Sequence, residues 1–267
     1  MVRKRQPIKL YGFNNLTKTL SFNIYDICYT RDELERKAYI EYINQQYNSN
    51  RLKKILTEVT KIVDAKILNI ATQDYEPQGA SVTVLISEYH GNNELMEVPA
   101  KESVVGHLDK SHLTVHTYPE SYPGNPISTF RVDIDVSTCG EISPLKALNY
   151  LISQFDSDII TIDYRIRGFT RDLKGEKHFL DHDIDSIQEF IPEEILSKYT
   201  TYDVNLAYTN LFHTKMMLNT LVLDNYLFNI KSTDLTEEEV AKIRQEINTE
   251  MAEIFYGMNI PRMKLEK

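Results

Sequence analysis

The sequence is poor in several residue types, and each shortage excludes a class of protein. Its 267 residues include two cysteines, no tryptophan, nine glycines and nine prolines. Two cysteines, Cys28 and Cys139, cannot form a disulfide framework and include no CxxC pair, which favours a reducing, cytoplasmic environment. The low content of glycine and proline, with 42% hydrophobic residues, excludes a largely disordered chain.

Positive charge is also scarce. Against 39 acidic residues the chain has 30 basic ones, which gives a formal net charge of −9. Proteins that bind a phosphate backbone need a surplus of lysine and arginine, so we do not expect a nucleic-acid partner. Residues 1–5 include three basic side chains, but no apolar run typical of a signal peptide follows them. No stretch approaches the roughly 18 apolar residues of a membrane span. We therefore expect neither export nor membrane insertion.

Apolar residues recur with the periods of helices and of strands. Helical spacing is found in residues 32–47, 52–63, 143–155 and 236–257. Strand-like spacing is found in residues 66–71, 81–87, 112–118, 130–136, 158–167 and 170–180. The strands 112–118 and 130–136 are expected to be neighbours, because a turn rich in proline joins them.

Capping signals and the absence of a linker complete the fold prediction. Ser143 is expected to be an N-cap ahead of Pro144, and Thr236 with Glu239 forms a capping box. No repeat or linker divides the chain, so we predict a single domain over residues 1–267. Its predicted class is α+β, an α/β sandwich with a mainly antiparallel sheet and helices packed outside.

Common catalytic motifs are missing. The chain has no GxxxxGK(S/T), GxGxxG, HExxH or GxSxG sequence. In residues 178–183, His178 and His182 accompany two carboxylates and would ligate a metal if these groups converged, although a hydrated loop is the simpler interpretation. Taken alone, Cys139 is typical of a small core residue.

Several motifs nevertheless occur together in one order. They are Lys110-Ser111-His112, Val115-His116-Thr117-Tyr118-Pro119-Glu120 and Ser137-Thr138-Cys139-Gly140. Further similarity lies in residues 12–18, 73–81, 142–150, 163–172 and 212–216. Over nearly the whole chain the sequence resembles the pyruvoyl-dependent S-adenosylmethionine decarboxylases, in particular their longer bacterial branch.

The resemblance implies a proenzyme that cuts itself. Cleavage between Lys110 and Ser111 would give a β chain of residues 1–110 and an α chain of residues 111–267. Ser111 would become a pyruvoyl group, which forms a Schiff base with the substrate amine and accepts electrons as CO₂ leaves. His116 would be the base for processing, since an imidazole exchanges protons near neutral pH.

Further roles follow from the same resemblance. Cys139 would donate the proton that the substrate carbon needs after decarboxylation, Ser81 would assist processing, and Phe13 would stack on the adenine. The product, S-adenosylmethioninamine, is the aminopropyl donor for spermidine. The resemblance also suggests Mg²⁺ as a second cofactor and a dimer or tetramer of cleaved protomers.

Two alternatives remain open. The first alternative is a noncatalytic regulatory paralogue of such a decarboxylase, although a protein of that kind has no use for Ser111, His116 and Cys139 together. A metal-dependent hydrolase built on His178 and His182 is the second alternative.

Overall fold

One antiparallel sheet of eight strands organises the described part of the chain, residues 8–12, 14–75, 78–88 and 111–261 of a computed structural model. The strand order is β2-β3-β4-β5-β1-β6-β10-β9, and β7 and β8 form a separate hairpin. The strands are β1 Thr17–Tyr29, β2 Ala65–Asp74, β3 Ala80–Glu88, β4 Ser111–Ser121, β5 Ile127–Cys139, β6 Ile159–Arg167, β7 Thr170–Arg171, β8 Lys177–His178, β9 Tyr199–Asp203 and β10 Leu211–Leu218. The helices are α1 Glu33–Gln46, α2 Ser49–Ile62, α3 Leu148–Gln154, α4 Glu193–Leu196 and α5 Glu237–Tyr256. All paired strands are antiparallel, as predicted.

The first face of the sheet is apolar and is covered by helices. Alternate residues of β1, such as Leu20 and Phe22, are buried there because successive side chains of a strand point to opposite faces. The predicted stripe of α2, including Leu52, Leu56 and Val59, packs into the same core. Helices α1 and α2 contact β3, β4 and β5 from this side.

Helix α5 covers only one end of the second face. Its Ile243 and Ile247 pack with Ile27 of β1 and Ile159 of β6 in a separate apolar cluster. Lys215 of β10 fixes the helix end, because its Nζ donates to the Phe255 carbonyl at 2.9 Å. Helices therefore pack outside on both sides of the sheet, as the predicted sandwich requires, and the other end of the second face keeps polar side chains.

Two local predictions are wrong. A 3₁₀ turn, Pro144–Ala147, precedes α3, and the Ser143 side chain makes no capping hydrogen bond. Residues 170–180 do not form a continuous strand. Instead β7 and β8 form a short hairpin, because the Asp172 carboxylate accepts the backbone N–H groups of Lys174 and Glu176 and closes a turn.

Helix α5 agrees with its sequence signals. The Thr236 hydroxyl accepts the N–H of Glu239, while the Glu239 carboxylate accepts the N–H of Thr236 at 2.8 Å. Gly257 ends the helix with a φ of +67°, a conformation that glycine adopts without strain. Among the described residues, no helix has the length and apolar character needed to cross a membrane.

Candidate active site

Ser111 and Cys139 lie together at one end of the sheet. Ser111 begins β4 and is only 4% exposed. The register pairs His112 with Ser137, so the start of β4 lies beside the end of β5. There the backbone N–H of Cys139 donates to the Ser111 Oγ at 3.0 Å. The residue predicted to be modified is therefore in direct contact with the backbone of Cys139, whose thiol points to the second face of the sheet.

The Cys139 thiol lies partly exposed on the second face of the sheet. Thr17 is its cross-strand partner on β1, with 4.0 Å between the Thr17 Oγ1 and the Cys139 Sγ. The other cysteine, Cys28, is buried, and burial with the nearby Asp26 charge raises its pKa well above the usual range. Cys139 is therefore the thiol that solvent and a substrate can reach.

Ser81 and His116 form a second pair. They are direct partners across β3 and β4, and both lie on the second face of the sheet. The hydroxyl of Tyr75 lies 3.4 Å from the His116 Nδ1, and the His116 ring stacks on Tyr118 with centroids 6.5 Å apart. Across β5, His116 is paired with Asp133. The two residues predicted to serve processing are thus neighbours.

The two pairs are far apart within one chain. Five residues of an extended strand separate Ser111 from His116, a span of about 17 Å. The side chains also point to opposite faces, because Ser111 alternates with the buried set and His116 with the partly exposed set. The structure does not bring the His116 imidazole to Ser111. The predicted sharing of one face by His112 and His116 is confirmed.

Carboxylates line the open part of the second face near these pairs. Burial raises the pKa of Asp133, and the charge of Arg131 partly offsets this effect. Arg131 also lies over the Tyr118 ring, 4.3 Å from its centroid. Asp135 accepts a hydrogen bond from the Ser21 hydroxyl. Such carboxylates and aromatic faces suit a cationic ligand. The alternation of residues along β4 and β5 is the sequence pattern that could have predicted that these side chains share one face.

A second row of the same face carries a histidine and a carboxylate. His213 and Asp163 are cross-strand partners on β10 and β6, and the His213 Nδ1 lies 2.6 Å from the Asp163 Oδ1. Sequence reasoning missed this pair because β10 was not predicted, so nothing indicated that the two residues would meet.

An ion pair between a buried lysine and a partly exposed carboxylate lies below the start of β1, on the first face. Asp181 accepts hydrogen bonds from the Lys18 Nζ at 2.6 Å and from the Asn14 Nδ2 at 2.9 Å. The His182 Nδ1 lies 2.7 Å from the other Asp181 oxygen. Burial opposes ionisation of Asp181, but His182 and the Lys18 charge outweigh it and hold the pKa below its usual range.

His178 does not join His182 in a common donor set. Its Nε2 lies 3.3 Å from the Asp172 Oδ2. Among the described residues, the donor atoms of Asp172, Glu176 and His178 lie within 4.8 Å of one another. His182 is not part of this group, so the convergence on which the metal-site alternative depended is not seen among these residues. Mg²⁺ prefers oxygen ligands, so a group that depends on an imidazole does not match that ion.

Two predicted site residues, Phe13 and Lys110, lie outside the described residues.

Comparison with known proteins identifies the family. The family model for S-adenosylmethionine decarboxylase matches residues 37–168. The S-adenosylmethionine decarboxylase proenzyme of Halorhodospira halophila is 59% identical over 95% of this chain and 96% of its own length. The proenzyme of the same name from Clostridium perfringens is also 59% identical, over 97% of this chain and 100% of its own.

A solved structure, the adenosylmethionine decarboxylase of Aquifex aeolicus, is 14% identical with a TM-score of 0.33, and covers 64% of this chain and 99% of its own. A likeness this weak supports no conclusion. The two bacterial relatives, however, are 59% identical to this chain over nearly their full length and nearly the full length of the chain, and this similarity establishes the family. The chain belongs to the S-adenosylmethionine decarboxylase family.

Proposed function

We propose that this chain is a proenzyme that cuts its backbone between Lys110 and Ser111 and then decarboxylates S-adenosylmethionine to S-adenosylmethioninamine. The hydrogen bond from the Cys139 N–H to the Ser111 Oγ carries the proposal, because it places the residue to be modified beside the backbone of the residue that would donate the proton. The names of the relatives support both the decarboxylation and the proenzyme state. They give no support to a regulatory paralogue or to a hydrolase built on His178 and His182.

Cleavage begins with the Ser111 hydroxyl. Its oxygen adds to the Lys110 carbonyl carbon, the amide C–N bond breaks, and an ester with a free Ser111 amine remains. A base removes the Ser111 α-proton, the Cβ–O bond breaks, and Lys110 leaves as a carboxylate. The dehydroalanine then takes up water and loses ammonia, which leaves a pyruvoyl group. The Cys139 N–H would hold the Ser111 oxygen and stabilise the negative charge that this oxygen takes up when the Cβ–O bond breaks and Lys110 leaves as a carboxylate.

The surroundings of Ser111 suit the group it would become. A pyruvoyl group supplies a ketone that draws electrons from the substrate carbon as CO₂ departs. Cys139, partly exposed beside this position, would deliver the proton that this carbon then needs. The carboxylates and aromatic rings of the open face would attract the cationic sulfonium of the substrate. Mg²⁺ enters no step.

His116 and Ser81 would act on the Ser111 of a second copy. Within one chain, about 17 Å of strand and the thickness of the sheet separate His116 from Ser111. His116 and Ser81 are neighbours on the second face, where both are partly exposed. We therefore assign the base role to a contact between two protomers, which also accounts for the expected dimer or tetramer.

Intact mass measurement tests the cleavage. The parent protein should yield fragments of about 13 and 18 kDa, in proportion to residues 1–110 and 111–267. Ser111→Ala should remain one inactive chain, whereas Cys139→Ala should still be cut but turn over poorly. A full-length parent that is active would exclude the mechanism.

Coexpression of two inactive variants tests the assignment to two protomers. Ser111→Ala supplies an intact His116, and His116→Ala supplies an intact Ser111. If the base acts between protomers, mixed assemblies contain cut His116→Ala chains, although neither variant is cut when expressed alone. If the base acts within its own chain, no cut chain forms in the mixture.

A further inference from the structure

The Asp181 carboxylate holds the first residues of β1 from the first face of the sheet. It accepts hydrogen bonds from Asn14, just before the strand, and from Lys18, the second residue of the strand. Lys18 is 1% exposed and Asn14 is 6% exposed, so both donors are buried, while the Asp181 side chain keeps 17% of its surface exposed. The Asn14 Oδ1 in turn accepts the N–H of Leu16 at 3.0 Å. Asp181 therefore fixes both sides of residues 15–17.

These same residues contact the end of β5, where Cys139 lies, and the turn that follows it. The Leu16 carbonyl accepts the N–H of Gly140 at 3.1 Å, and the Thr17 hydroxyl lies 4.0 Å from the Cys139 sulfur. One residue further on, the Thr138 hydroxyl donates to the Lys18 carbonyl at 3.4 Å. Leu16, just before β1, and the first two residues of β1 thus contact residues 138–140.

We propose that Asp181, acting through Lys18 and Asn14, is a positioning residue that fixes the Cys139 thiol for proton delivery. The inference rests on the proposed function. A buried ion pair is weak evidence for stability, since apolar residues of similar volume often stabilise a fold as well. What this pair adds is a fixed location for the start of β1, and hence for the thiol that the start of β1 contacts.

Proton delivery depends on such precision. After CO₂ leaves, the proton belongs on the substrate α-carbon, and water then releases the amine product. If the proton reaches the carbonyl-derived carbon of residue 111 instead, the nitrogen stays on the enzyme. Water then releases the substrate as an aldehyde, residue 111 becomes alanine, and turnover ends. A displacement of about 1 Å can change a catalytic rate about a hundredfold.

The first experiment measures the thiol without turnover. In a Ser111→Ala background, which stays uncut, Cys139 is alkylated with iodoacetamide and the rate is followed by mass. Asp181→Ala should alkylate at least about threefold faster, because the thiol is released from its fixed position. Asp158→Asn is the matched control, since Asp158 is a buried carboxylate that holds the other end of β1 through the Ile27 N–H at 2.7 Å.

Thermal unfolding of the same variants separates positioning from stability. If Asp181→Ala and Asp158→Asn are destabilised alike but only the first changes the Cys139 rate, the positioning role is supported. Equal alkylation rates in the two variants would overturn it. Should Asp181→Ala fail to fold, Lys18→Met/Asp181→Asn removes both charges without leaving one unpaired, and the same comparison applies to it.

The second experiment counts failed turnovers in the cut enzyme. After incubation with S-adenosylmethionine, the mass of the larger fragment distinguishes an N-terminal pyruvoyl group from alanine. Asp181→Ala should form alanine after about tenfold fewer turnovers than the parent. An unchanged count overturns the inference but leaves the proposed function intact, whereas a parent that neither cuts nor decarboxylates overturns the proposed function itself.

Discussion

Thr17 is the one side chain of β1 for which the structure gives a direct contact with the Cys139 sulfur. Replacing it with valine keeps the shape and removes the hydroxyl. We expect Thr17→Val to be cut normally and to lose about fivefold in kcat, the equivalent of about 1 kcal/mol for one hydrogen bond. Steady-state kinetics measure this loss.

Thr19→Val is the matched control, because Thr19 lies on the same face and its hydroxyl contacts Ser137 instead, at 3.3 Å. A similar loss of kcat in both variants would mean that the Thr17 contact has no special role.

Asp158 gives the protein a dependence of stability on pH. Burial raises the pKa of its carboxyl group to about 6, although hydrogen bonds from Tyr226 and the Ile27 N–H favour the ionised form. Between about pH 4 and pH 6 the folded state keeps a proton that the unfolded chain has lost. Stability therefore falls as the pH rises through this window, by about 3 kcal/mol in total, and then levels off.

Asp158→Asn should remove this part of the decline. Urea unfolding at several pH values between 4 and 7 measures it, with the exposed Asp185→Asn as control. A variant with the full slope of the parent would show that other groups cause the dependence.

Single residues differ in how far the sequence predicts their role. Ser111, His116 and Cys139 were found from short motifs, whose order along the chain is itself the signal. The contact of Lys18 with Asp181 joins residues 163 positions apart, so no local pattern announces it. By contrast, the predicted strand over residues 112–118 already implied that His116 lies far from Ser111, because five residues of an extended strand span about 17 Å.

The elements with a clean period were predicted well. The strands β4 and β5, the helix α2 and the capped helix α5 all appear where their patterns indicate. The strand β1 was missed, although its residues alternate. Lys18 and Asp26 occupy the buried positions of that strand and interrupt the apolar pattern, because each is satisfied by partners distant in sequence.

The N-terminal cap of α5 offers a test at this scale. Thr236→Ala removes the hydroxyl that accepts the Glu239 N–H, and we expect a loss of about 1 kcal/mol in the free energy of unfolding. Urea denaturation measures the loss. In Thr249→Ala, which alters an exposed hydroxyl inside the same helix, the change should be much smaller. Equal losses would mean that the cap adds nothing.

At the scale of the whole molecule, the proposed cut would divide the sheet in an unusual way. The strands β1, β2 and β3 would belong to the first chain and the remaining strands to the second. The order of the sheet places β1 between β5 and β6, and β3 beside β4. Each chain therefore borders the other along three strand pairs.

We expect the two chains to stay together after cleavage. In native buffer they should elute as one species and unfold in one transition, because separating them would expose the core of the sheet. Size-exclusion chromatography in buffer and in guanidinium chloride measures whether the two chains elute together. Separate elution in native buffer would contradict the interleaved arrangement.

The interior place of β1 also restricts how the protein can be made. A strand that is paired on both sides cannot be added to a finished sheet unless the hydrogen bonds between two neighbouring strands first break. Synthesis as one polypeptide avoids the difficulty, since the tether delivers β1 before its neighbours close around it. The peptide bond in front of Ser111 is thus needed while the sheet folds and not afterwards. Two polypeptides expressed from a gene split at that point should aggregate rather than assemble.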